Sequence, residues 1–411
     1  MQNFRFCLSA ILMTVALAGS GCSLPSGKQN SLFDTAAVRD ALAQPPAERD
    51  WQDYQTLSDR IGAVDEAVIK AELRALGLHE PVAPPHGVRF GFDPDQPVSF
   101  YKTAEGRRIA NILLSFQTPS GGWSKRTDMS VHRRQPGEAF GFEQSYIPTF
   151  DNHATSTQLW VLTKAWQATG DSRYSDAVVR GIKLILLAQY PNGGWPQNFP
   201  LTGGYHDDIT YNDAVTTNLL EIVQAVSTGG KGMGFVPENL RRRASKSYAA
   251  ALESVIATQV VVKGTPTIWG AQHDPHTLLP TAARTFEPIA LATSESAELL
   301  LILMQIEKPS NALKNAITAA AAWFQDNRIF GYEWASTVEG ESRLQAKDGA
   351  EPLWPRFAEL STNRPIFGDR DGRVYYDVNE ISQERHTGYA WYTHAPAKVL
   401  RAYPKWHARH F

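Results

Sequence analysis

Gln117-Thr-Pro-Ser-Gly-Gly-Trp123 returns as Gln189-Tyr-Pro-Asn-Gly-Gly-Trp195, so one Gln-x-Pro-x-Gly-Gly-Trp unit recurs after 72 residues. Each copy closes a helical pattern: Ile109, Ile112, Leu113 and Phe116 share one face before the first, and Tyr174, Ala177, Val178, Ile185 and Ala188 before the second. Proline bars continuation of the helix, the glycine pair admits backbone angles closed to other residues, and tryptophan buries a large flat surface. A turn of this kind between helices, repeated at this interval, predicts an all-α fold of helical hairpins arrayed around an axis.

The stretches after the two turns repeat as well. Asp151-Asn-His-Ala-Thr-Ser-Thr-Gln-Leu159 and Asn212-Asp-Ala-Val-Thr-Thr-Asn-Leu219 each open a helix, with Leu159, Leu162 and Trp166 or Leu219, Leu220 and Val223 as the apolar rows. Capping accounts for one Asx side chain per helix and does not require a pair. Two acidic, amide-rich turns at equivalent places therefore point to a shared pocket.

With 411 residues, 43% of them hydrophobic, the chain can bury a large core, and its net charge of −2 exerts no general pull on nucleic acid or anionic lipid. The run Arg241-Arg-Arg243 lies in a helical pattern with Ala244, Tyr248 and Leu252 and reads as a solvated face. Residues 1–22 carry Arg5, an apolar stretch from Leu8 to Leu17 and small residues up to Cys22, the layout of a bacterial secretory signal. Export to the periplasm or medium is expected, and Cys22 is the candidate for a lipid anchor at the outer membrane. Cys7 leaves with the signal, so the mature fold has neither an internal disulfide nor a cysteine centre.

Residues 23–87 read as a polar tether and a helical prefix ended by Pro81-Val-Ala-Pro-Pro-His-Gly87, and residues 88–411 as the main domain, expected to be a monomer. Helices are expected at about 104–117, 155–169, 173–189, 214–226, 240–259, 294–306, 310–327 and 388–401. The aromatic stretches between them, 123–150, 195–212, 264–292 and 351–387, are long for a compact helical domain, which marks them as functional. They hold Lys125, Arg126, Asp207, Asp208, Arg284, Arg356, Arg364, Arg370 and Arg385. Guanidinium forks suit carboxylates and oxygen donors suit a hard cation, so an anionic substrate is expected. His273-Asp-Pro-His276 lacks the spacing of a zinc site.

Several strings carry a specific resemblance: Gly193-Gly-Trp-Pro-Gln197, Thr149-Phe-Asp-Asn-His-Ala-Thr155, Gln272-His-Asp, Ala283-Arg-Thr-Phe-Glu287, Ser294-Glu-Ser296, Trp354-Pro-Arg-Phe357, Gly368-Asp-Arg-Asp-Gly372 and Arg385-His-Thr-Gly-Tyr-Ala-Trp391. From about residue 90 onward the chain resembles the family 10 polysaccharide lyases, which are pectate lyases. The resemblance implies an (α/α)3 toroid, a Ca2+-dependent cleft and β-elimination of polygalacturonate (pectate). It assigns Asp151, Asn152 and Asp213 to the metal, with Asp151 and Asn152 also beside the substrate, Arg284 to the Brønsted base, and Lys125, Arg356 and Arg370 to substrate contacts. Relatives often read Trp-Pro-Lys-Asn where this chain has Trp123-Ser-Lys-Arg126.

Neutralising a uronate carboxylate makes the neighbouring C5 proton more acidic and stabilises the enolate-like charge formed as it leaves. Arginine is an awkward base, because its free pKa lies far above neutrality and the neutral form is rare unless calcium and neighbouring guanidinium groups lower it; that tension predicts an alkaline optimum. The rival reading is a glycoside hydrolase using Asp151 and Asp213 as a carboxylate pair.

Overall fold

A computed structural model describes residues 32–336 and 342–411; the secretory signal and Cys22 lie outside these residues. Two prefix helices, α1 (Ala36–Ala43) and α2 (Trp51–Leu76), precede α3 (Ala104–Phe116), α4 (Ser156–Thr169), α5 (Ser172–Ala188), α6 (Val215–Thr228), α7 (Glu238–Thr258), α8 (Thr293–Leu303) and α9 (Asn311–Asp326). The short α10 (Gln383–Gly388) and the terminal α11 (Ala395–His410) complete the set. Helices α3, α5, α7 and α9 stand side by side in one layer, and α4, α6, α8 and α11 in the other. The result is the all-α toroid of helical hairpins expected from the repeat.

Connections alternate in length. Short ones cover 170–171, 229–237 and 304–310, and long ones cover 117–155, 189–214, 259–292 and 327–394. Because successive helices run in opposite directions, every long segment emerges at the same end of the toroid. That end carries the site.

The turn works as a latch. Gln117 donates to the Gly121 carbonyl of its own turn and to Ala177 of α5, both at 2.8 Å, while Gln189 reaches Gly193 and Ser247 of α7 at 2.9 Å. A third copy is present: Gln259 donates to Thr267 and to Ala316 of α9, at 2.8 and 2.9 Å. Here a hairpin, Val261–Val262 paired with Thr265–Pro266, replaces the Gly-Gly turn and hides the repeat from a sequence comparison. The tryptophans are equivalent too. Trp123, Trp195 and Trp269 are fully buried and donate their indole N–H to Leu113, Ile185 and Val255 in the last turns of α3, α5 and α7. Gly193, at φ +92°, leaves no room for a side chain, since a Cβ would sit 2.1 Å from the Ala250 oxygen.

The prefix packs into the same core as the toroid, through Phe33, Val38, Leu42, Tyr54, Leu57 and Ile61. Arg49, buried, donates to the carbonyls of Leu186, Leu187 and Gln189 at the C-terminal end of α5, where unpaired carbonyls favour a cation. Desolvation lowers its pKa to about 10. The final helix starts seven residues later than the expected 388 and runs on to His410. Tyr392–Thr393 is drawn into a strand pair with Trp354–Pro355, and the Thr393 hydroxyl accepts from the Ala395 N–H at the helix start. An antiparallel sheet of Val374–Tyr375, Pro365–Gly368, Phe357–Ala358 and Leu291–Ala292 orders the last long segment over a second small core containing Phe357, Phe367 and Trp391. Among the described residues no helix is long and apolar enough to cross a membrane.

Candidate active site

The two acidic turns face each other at the long-loop end. Neither caps its helix with a side chain. Instead both kink through left-handed backbone, at Asn152 (φ 50°) and His153 (φ 62°) in one and Asp213 (φ 49°) and Ala214 (φ 58°) in the other. Left-handed backbone at residues other than glycine costs on the order of 1–3 kcal/mol each, and such strain is characteristic of functional sites. Thr155 and Thr216 hold the two kinks alike, donating to the carbonyls six residues earlier, Thr149 and Thr210, at 2.8 and 2.7 Å.

Asp151 is buried. Its Oδ2 lies 2.5 Å from Lys125 Nζ and its Oδ1 accepts from Asn152 Nδ2 at 2.8 Å, and its carboxyl is in hydrogen-bonding contact with that of Asp213. Burial pushes the Asp151 pKa up, but the Lys125 charge together with hydrogen bonds to Lys125, Asn152 and Asp213 outweighs it and holds the group below the usual carboxylate range. Asp213 opens onto the cleft yet is crowded by protein on its other side. That desolvation, followed by the Asp151 charge, raises it. Two carboxyls in contact, with a lysine paired to one of them, form a coupled pair. They suit a shared proton or a hard cation, and with Asn152 the donors are all oxygens, as such a cation prefers. Among the described residues no three His, Cys, Asp or Glu side chains gather as a metal centre by themselves.

Lys125 also lies 3.6 Å from Glu143 Oε2 and 3.5 Å from the centre of the Tyr146 ring. From there a line of rings leads towards the arginines. Tyr146 meets Tyr205 (Oη to Oη, 3.3 Å), Tyr205 feels the charges of Arg284 and Glu287, and Glu287 accepts from Tyr389 at 2.7 Å. The Arg356 guanidinium lies 4.6 Å from the Tyr389 ring and donates to Glu295 and Asn212 at 2.7 and 3.2 Å, returning to the second acidic turn. The candidates Lys125, Asp151, Asn152, Asp213, Arg284 and Arg356 thus meet in one place.

Arg370 joins at the rim. The guanidinium carbons of Arg284, Arg370 and Arg385 lie 4.7, 4.9 and 4.4 Å from the centre of a single ring, Phe286. Glu384 bridges Arg370 and Arg385, and Glu287 forks Arg284 at 2.8 and 2.6 Å. The fork works against the base role. Hydrogen bonds to Glu287 outweigh burial and the neighbouring guanidinium groups and raise the Arg284 pKa. Glu287, Glu295, Phe286 and Tyr389, to which residue type and spacing assign no role, orient the arginines. All four stand in the strings that carry the family resemblance, but nothing in their spacing reveals that Glu287 and Phe286 face back onto Arg284.

His273 is buried, with Nε2 accepting from the Gly270 N–H at 3.0 Å and Nδ1 bonded to the Leu278 carbonyl at 2.9 Å. Burial lowers its pKa to about 4, so it is a neutral structural residue with both nitrogens engaged.

Beside the acidic turns opens a cleft of about 680 Å³, walled by Asn152, His153 and Asp213 on one side and by the segment His86–Pro94 on the other. This wall straddles the expected boundary at residue 87, a stretch in which the sequence marks no functional residue.

A family model described as pectic acid lyase matches residues 117–400. Among solved structures, the family 10 polysaccharide lyase of Cellvibrio cellulosa is 30% identical with a TM-score of 0.67, covering 75% of this chain and 94% of that one. An aspartate-to-alanine mutant of the same lyase, in complex with trigalacturonic acid, is 29% identical with a TM-score of 0.67, covering 75% and 95%. Among curated proteins there is no match. With the latch turns, the acidic turns and an arginine-lined site all inside the matched span, the chain belongs to the pectic acid lyase family and is a pectate lyase of polysaccharide lyase family 10.

Proposed function

We propose that this enzyme cleaves de-esterified polygalacturonate by β-elimination, with Ca2+ held by Asp151, Asn152 and Asp213 and with Arg284 as the Brønsted base. One observation carries the reading: a line of contacts from Asn212 through Arg356, Tyr389 and Glu287 to Arg284 joins the acidic turns, with their coupled carboxylate pair, to a cluster of arginines beside an open cleft. The cation, when bound, would supply positive charge to the uronate carboxylate and acidify C5–H. Lys125 keeps Asp151 ionised and presents its ammonium towards the substrate. Arg356, fixed by Glu295 and Asn212, takes a uronate carboxylate through the part of its guanidinium that remains exposed. Arg370 takes a second carboxylate at the rim.

Arg284 must part from Glu287 and lose a proton before it can accept one from C5. The C5–H electron pair then forms the C4–C5 double bond, the C4–O bond breaks, and the departing oxygen takes a proton from solvent. No water is consumed. The enzyme acts as an exported monomer, in the periplasm or medium or tethered through Cys22.

Incubation of the purified protein with polygalacturonate, with and without chelator, tests the reading. Near-ultraviolet absorbance is expected to rise and chelation to stop it, with neutral glucans untouched. New reducing ends without absorbance would establish hydrolysis by the carboxylate pair instead, and full activity after exhaustive chelation would remove the metal.

A further inference from the structure

We propose that the segment His86–Pro94, which precedes the family match, builds an additional binding position for a uronate carboxylate, taken by the guanidinium groups of Arg89 and Arg126 across the cleft from the acidic turns. The inference rests on the pectate reading above and extends it.

The segment is strapped down as a fixed wall. Gly87 N–H donates to the Arg126 carbonyl at 3.1 Å, Asp128 N–H to Pro85 at 2.9 Å and Met129 N–H to Phe90 at 2.9 Å. Gly87 and Gly91 press onto Asp128 so closely that a Cβ would lie 2.9 and 1.9 Å from its side chain. Arg89 and Arg126 are both exposed at the cleft, and both hold left-handed backbone, at φ 59° and 50°. Together with Asn152, His153 and Asp213 they place five left-handed non-glycine residues on one cavity. Strain of this kind persists only where the surroundings impose it.

The charge pattern names the ligand class. Among the described residues Asp213 is the only acid lining the cleft, and Arg89 has no acidic partner. Arg126 keeps a half-exposed contact with Glu143 at 3.2 Å. Two forked cations with so little anion around them match a carboxylate. Phe92, half-buried and backed by the buried Phe90 with rings 6.0 Å apart and 27° from parallel, offers an apolar face suited to a sugar ring. A polyuronate carries one carboxylate per ring, so a chain engaged at Asp213 brings a further carboxylate along this wall.

Steady-state kinetics of Arg89→Ala and Arg126→Ala on polygalacturonate and on trigalacturonate test the assignment, with melting temperatures as the check on folding. The expected result is a KM for polygalacturonate raised about tenfold, an unchanged kcat and an unchanged KM for the trimer, because each guanidinium acts in ground-state binding of a longer chain. Arg89→Lys should recover part of the loss. An unchanged KM in both variants, or an equal rise for trimer and polymer, overturns the extra position while the wild-type lyase activity leaves the catalytic reading standing. A wild-type protein that neither cuts nor binds polygalacturonate overturns both.

Discussion

Arg284, the proposed base, is held in a state opposed to that role. Its fork with Glu287 stabilises the protonated guanidinium, so the energy needed to reach the neutral base rises with every hydrogen bond that Glu287 accepts. Replacing Glu287 by Gln keeps a side chain of the same shape and removes the charge. The rising limb of the rate profile of Glu287→Gln is therefore expected to move to lower pH by about one unit or more. An unshifted profile would show that Glu287 does not set the protonation of the base. For Arg284→Lys a fall in kcat of about 10²–10⁴-fold with little change in KM is expected, the range seen when a general base is displaced. Near wild-type turnover in alkali would leave the proton acceptor unassigned.

At the scale of the element, α3, α5 and α7 each end in a latch that fixes both the turn and the next helix of the layer. Gln189 is fully buried, donates to Gly193 and Ser247 and accepts from Ser247 Oγ at 2.6 Å. Gln189→Ala orphans these groups, and a loss of about 3 kcal/mol is expected, from roughly 1–3 kcal/mol for each unsatisfied buried group. Thermal unfolding reads this as a melting temperature lower by several degrees, whereas an unchanged midpoint would mean that water replaces the amide. Two copies of the latch are plain in the sequence because Gly-Gly-Trp recurs. The third is not, since Gln259 and Trp269 are spaced by a hairpin and only the matching hydrogen bonds reveal the equivalence.

Across the whole molecule, stability is linked to pH through His273, whose folded pKa of about 4 lies below its ordinary value of 6.5. Between those two values the residue is neutral when folded and charged when unfolded, so it contributes full stability above pH 6.5 and loses it as pH falls towards 4. The span corresponds to on the order of 3 kcal/mol, at about 1.4 kcal/mol per unit. Asp65, Asp213 and Asp208, raised to about 7, 7 and 6 chiefly by desolvation, act in the opposite sense, so the His273 contribution is read as a difference. Between about pH 7 and about pH 4.5, urea titrations are expected to show a stability change less favourable in the wild type than in a folded His273→Gln variant. Equal changes in both would remove His273 from the linkage. The prefix belongs to this scale too: α1 and α2 add apolar faces to the common core, and Arg49 ties them to α5.

Local signals suffice for much of this. Periodicity, proline and glycine place seven of the eight expected toroid helices within a few residues, because those signals act along the chain. The candidates for chemistry are also visible, as charges in long loops and as two matched Asx turns. Their arrangement is decided only by tertiary structure. Asp151 and Asp213 abandon capping to meet each other, Arg284 is forked by Glu287 as well as flanked by arginines, and a stretch marked by no functional residue becomes a cleft wall. Each of these depends on contacts between residues that the sequence keeps apart, or on which way a backbone kink turns a side chain. A pattern of residue types carries neither.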